Sequence, residues 1–93
     1  MAKAPITFTF KPSSDTLNYH AVVDTTALRI VNAVAELPLE LGNEHILYWW
    51  MEGNSGETLS IKVSKGGDDV TTVKESTIPP GKLKAAGYRR LTP

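Results

Sequence analysis

The side chains with acid-base or ligating chemistry are two histidines, His20 and His45, and ten carboxylates; there is no cysteine. The histidines lie too far apart to spell a metal motif, although the strands bearing them could neighbour each other in space, and a structural or surface role is the simpler reading of each. Asp68-Asp69 follows Gly66-Gly67 without a supporting carboxylate at ligand spacing, and Gly81-Lys82 lacks the rest of a phosphate loop. Glu36, Glu40, Glu44 and Glu52 could supply a glycosidase-type pair. However, acids outside hydrophobic runs usually form solvated faces, and so short a chain leaves little room for a deep, dry pocket. There is no Gly-x-Ser-x-Gly elbow. Without cysteine, thiol nucleophiles, thiolate metal sites and disulfides are excluded. These features predict a protein that is not an enzyme and that uses neither cofactor nor metal.

The distinctive chemistry is apolar. In His45-Ile-Leu-Tyr-Trp-Trp-Met-Glu52 large side chains follow one another, and along a strand they point alternately to opposite faces. One face carries His45, Leu47, Trp49 and Met51; the other carries Ile46, Tyr48 and Trp50, bracketed by Glu44 and Glu52. A sandwich sheet buries one face. The first set lacks flanking acids and is the expected core face. Tyr48 and Trp50 then form an exposed aromatic platform, with side chains about 6.5–7 Å apart, able to seat a sugar ring or a partner's apolar side chain. Its expected rim is Glu40 on one neighbouring strand and Lys62 on the other, with His45 nearby. The competing reading is that a terminal segment or a helix covers this face and makes both aromatics ordinary core.

Such a platform needs a sheet beneath it, and the rest of the chain supplies strands. Ile6, Phe8 and Phe10 alternate with polar residues, as do Leu17, Tyr19, Ala21 and Val23, then Leu37, Leu39 and Leu41, then Leu59, Ile61 and Val63. Val70–Val73 fits another short strand. The segment 25–35 fits either a strand or one short helix, and its β-branched residues tip it towards strand. Pro38 belongs at a sheet edge or a bulge. Turns at Gly42-Asn43 and Gly53–Gly56 suggest that 36–64 is a three-stranded antiparallel meander. About seven short strands predict an all-β fold, a small antiparallel β-sandwich of immunoglobulin-like architecture. The Cys…Trp…Cys framework of antibody domains is absent, so the term describes layering and not kinship.

Ninety-three residues suit one domain, expected over 1–80 and followed by a basic tail, 81–93. The formal net charge of zero argues against a surface devoted to nucleic acid or anionic membrane. The tail nevertheless concentrates Lys82, Lys84, Arg89 and Arg90 with no acid, and Tyr88 alone offers it a stacking surface, so nucleic-acid binding there is the weaker expectation. No window approaches a membrane span. Absence of a signal h-region and of cysteine tilts the compartment towards the cytoplasm without fixing it. The function expected is a non-catalytic binding module that contacts a protein or carbohydrate partner through Tyr48 and Trp50. The alternative is a structural protein that forms a homo-oligomer through the same face or a sheet edge.

Overall fold

Alternating apolar residues build eight strands in two antiparallel sheets. In the computed structural model, which describes residues 2–93, these are β1 (Lys3–Pro12), β2 (Asn18–Val23), β3 (Thr26–Ala27), β4 (Val34–Glu40), β5 (His45–Glu52), β6 (Thr58–Lys65), β7 (Asp68–Thr77) and β8 (Lys84–Leu91). One sheet has the order β4-β1-β6-β7 and the other β3-β2-β5-β8. Their inner faces meet in one core. Ile6, Phe8 and Phe10 of β1 and Leu59, Ile61 and Val63 of β6 lie buried in the first sheet, opposite Ala21 and Val23 of β2 and Leu47, Trp49 and Met51 of β5. The all-β sandwich expected from the alternation is therefore the fold found. Pro38 lies in the edge strand β4, where a missing N–H need not break a ladder.

No helix forms among the described residues. The ambiguous segment 25–35 contains β3, a connection and the start of β4, and in that connection Asn32 and Ala33 hold φ of +52° and +63°. Consecutive left-handed residues end any right-handed helix.

The expected meander over 36–64 does not form. β4 pairs with β1, β5 with β2 and β8, and β6 with β1 and β7. The turns after β4 and after β5 thus carry the chain across from one sheet to the other. Stacking the apolar faces of these strands across the sandwich buries both, which pairing them side by side does not do by itself. Backbone bonds anchor each crossing. Leu41 and Gly42 N–H donate to the carbonyls of Ala2 (3.0 Å) and Pro93 (2.9 Å); Gly53 and Gly56 N–H donate to those of Leu83 (2.9 Å) and Ile78 (2.9 Å).

Nor does the C-terminal stretch trail away from the domain. Lys84–Leu91 is β8, paired with the whole of β5 from Glu52↔Lys84 to His45↔Leu91. Its inward positions are Ala85, Gly87, Arg89 and Leu91, and only Leu91 is fully buried. Gly87 is small because the indole of Trp49 fills the space beside it: a Cβ built on Gly87 would stand 2.6 Å from its Cζ2 atom. Arg89, on the same side, bridges to the facing sheet, donating to Thr71 Oγ1 (3.3 Å) and the Thr72 carbonyl (3.4 Å) of β7.

Candidate functional site

The two tryptophans part company as the alternation requires. Trp49 is 5% exposed, whereas Trp50 is 39% exposed and Tyr48 41%. The Trp49 indole Nε1 is buried without a hydrogen-bond partner among the described residues, so this ring is held by packing alone.

What surrounds Trp50 differs from the expected rim. The β2-β5-β8 register sets His20 beside Trp50, Val22 beside Tyr48, and, on the other side, Tyr88 opposite Tyr48, Ala86 opposite Trp50 and Lys84 opposite Glu52. The rings of His20 and Trp50 lie 5.7 Å apart and those of Tyr48 and Tyr88 6.4 Å apart, within the range of aromatic pairs. Tyr88 is more exposed than either Tyr48 or Trp50, at 63%. Trp50 stands between two hollows, one of about 250 Å3 reaching Ala86, Lys84 and Glu52, the other of about 340 Å3 bordered by His20, Val22 and Ala27. The platform therefore has an aromatic centre and a mixed-charge end. No family model, curated protein or solved structure matches this chain.

Glu40 and Lys62 lie in the other sheet, because the turns flanking β5 cross the sandwich. Glu40 accepts a hydrogen bond from Asn43 Nδ2 (2.6 Å) in its own turn, and Lys62 Nζ is 3.4 Å from Asp69 across the β6–β7 pair. The outer face of that sheet carries Pro5, Thr7, Thr9 and Lys11 of β1 beside Val34, Glu36 and Pro38 of β4 and Ser60, Lys62 and Ser64 of β6, with no large aromatic side chain. Of the residues grouped as a basic tail, Lys84, Tyr88 and Arg90 join the aromatic face, Arg89 turns inward, and Lys82 precedes the strand with its carbonyl accepting from Ser55 Oγ. The sequence does not mark Tyr88 as the neighbour of Tyr48, because β8 has too few bulky apolar side chains to show its alternation. The only available signal was the inward series Ala85, Gly87, Leu91.

The histidines do not meet. His20 is exposed on the aromatic face, while His45 begins β5 on the inner side, with a side chain only 12% exposed. There it clasps the two sheets together. Nδ1 lies 2.8 Å from Asp24 Oδ2, Nε2 lies 3.1 Å from the Glu40 carbonyl, and Asp24 Oδ1 accepts the Ile46 N–H at 3.0 Å. Both ring nitrogens face acceptors, so the imidazolium, which donates from both, fits best. The hydrogen bond to Asp24 raises the His45 pKa above its ordinary 6.5, and the same bond lowers that of Asp24 below 3.8. The His45 contribution is full below pH 6.5 and is lost as pH rises through its elevated value; the Asp24 contribution is present above pH 3.8 and is lost as pH falls through its depressed value. The clasp is thus strongest between those limits. Asp24 is about half exposed, so the effect is modest, under about 1 kcal/mol. Urea midpoints should be higher at pH 5.5 than at pH 8.5, and His45→Gln should flatten that difference; an unchanged difference in the variant would assign the pH dependence elsewhere.

The described residues hold no group of three or more histidines and carboxylates able to bind a metal ion. Glu36 and Glu40 belong to one sheet, and Glu44 and Glu52 lie towards opposite ends of β5 in the other. No helix is long and apolar enough to cross a membrane.

Proposed function

We propose that this protein is a non-catalytic binding module whose contact surface is the outer face of β2, β5 and β8, with Tyr48, Trp50 and Tyr88 as its anchors and a protein or carbohydrate as its partner. The observation that carries this reading is the contrast between the two outer faces: one is mostly threonine, serine, lysine and glutamate, with Val34 and Pro38 at its β4 edge and no aromatic ring, while the other is centred on aromatic rings. Exposed apolar patches of this kind are interaction surfaces more often than accidents. Burial of Trp50 against a partner supplies affinity, and Lys84, Glu52 and Arg90 supply orientation. Nucleic acid fits this face less well, since each cation has an acid at its own end of the sheet: Lys84 opposite Glu52, and Arg90 Nε 3.9 Å from Glu44.

Screening wild type and Trp50→Ala against immobilised glycans and peptides tests the reading. Wild-type binding should fall at least about thirtyfold in the variant, with its far-UV circular dichroism close to that of the wild type. An unfolded Trp50→Ala chain would make Trp50 structural and overturn the proposal. A second reading, homo-oligomer assembly through the same face, is favoured by the pairing of side chains across β5 and β8.

A further inference from the structure

The outer row of β5 and the outer row of β8 are complementary at three of their four paired positions. The register sets Glu52 against Lys84, Trp50 against Ala86, Tyr48 against Tyr88 and Ile46 against Arg90, the last with Glu44 close by. Acid meets base, the largest side chain meets a methyl group, and ring meets ring. A two-fold axis lying in the plane of this face, along the strands and midway between β5 and β8, exchanges the two rows. Every complementary pair within one chain then recurs between two chains.

From this self-complementarity we infer that the partner bound by the aromatic face is a second copy of this chain, docked about that two-fold axis. The inference rests on the proposed contact face and names its occupant. In the dimer Trp50 of each copy enters the hollow over Ala86 of the other, where about 250 Å3 is open beside Lys84 and Glu52. Lys84 of each copy lies over Glu52 of the other, and Arg90 over the Ile46 and Glu44 end. Tyr48 stacks against Tyr88. Reciprocal use of one patch is what a two-fold interface demands, and face-to-face sheets with strands within about 30° of alignment satisfy their twist. Mixed charge at both ends suits a second copy better than a polyanion, which two exposed carboxylates would repel. The patch spans two strands of eight residues and borders one of six, so it sits at the small end of specific interfaces.

Sedimentation equilibrium of the full chain from about 1 µM to about 1 mM tests this with five proteins: wild type, Glu52→Lys, Lys84→Glu, the double exchange, and Ala86→Trp. The wild type should show a monomer–dimer equilibrium. Each single reversal sets like charges against each other twice per dimer and should weaken association about tenfold or more, while the double exchange should recover to within about threefold of wild type. Ala86→Trp fills the socket from an exposed position and should weaken dimerisation roughly a hundredfold without changing the circular dichroism. A wild type that stays monomeric throughout overturns the inference, as does a dimer indifferent to the charge exchange and to Ala86→Trp. Neither result touches the contact-face proposal, which falls if Trp50→Ala fails to fold or binds the screened glycans and peptides as the wild type does.

Discussion

Trp49→Ala is expected to destabilise the chain by about 3–5 kcal/mol, while the same change one residue later, at Trp50, costs about 1–2.5 kcal/mol. The difference comes from burial. Trp49 is 5% exposed and packs between β8 and the facing sheet, whereas Trp50 keeps 39% of its surface in solvent. A loss of 3–5 kcal/mol is a large part of the roughly 5–15 kcal/mol that holds a domain together. Trp49→Phe should be milder, because the indole N–H it removes has no hydrogen-bond partner to lose. Urea unfolding followed by circular dichroism measures all three. Fluorescence adds an independent readout: the single-tryptophan variant retaining Trp49 should emit at shorter wavelength than the one retaining Trp50. Equal costs at the two positions would mean that the outer face of β5 is covered.

Gly87→Ala is the second large effect, at about 1–3 kcal/mol. The added Cβ would lie 2.6 Å from Cζ2 and 2.9 Å from Cε2 of Trp49. Both atoms belong to a rigid, buried ring that cannot swing aside as a flexible side chain would, so either the indole or β8 must shift. The cost therefore belongs to the pair and not to the glycine alone. In a Trp49→Phe background the clashing ring atoms are gone, and Gly87→Ala should cost less than in the wild type, giving a coupling in the double-mutant cycle of about 0.5–3 kcal/mol. Strict additivity would show that β8 is not seated against β5 in this register. Because β8 carries Lys84, Ala86, Tyr88 and Arg90 to the aromatic face, the same substitution is expected to disturb whatever that face binds.

Much of the fold follows from period-two patterning. The runs Ile6-Phe8-Phe10, Leu47-Trp49-Met51 and Leu59-Ile61-Val63 declare both that they are strands and which side is inner, because a one-residue slip would turn each apolar set out to water. That phase information reached the site as well: it set Trp49 and Trp50 on opposite faces, while whether the second face is covered depends on what packs over it. Residues 84–91 carry no such rhythm. Their inward series Ala85, Gly87, Arg89 and Leu91 has one large apolar member, and Gly87 has no side chain because the Trp49 ring occupies that space.

The amino-acid sequence by itself determined the all-β class, the alternation of each well-patterned strand, and that Trp49 and Trp50 face opposite ways; that the face of Tyr48 and Trp50 is left open to solvent came from the tertiary structure. Only the tertiary structure decided which strands lie beside which, and hence that the platform is edged by Lys84, Tyr88, Arg90 and His20 while Glu40 and Lys62 lie across the sandwich. The alternation of a strand is a local property of its own backbone. Its neighbours depend on whether each turn stays in a sheet or crosses the core, and that is settled by how both apolar faces are buried at once.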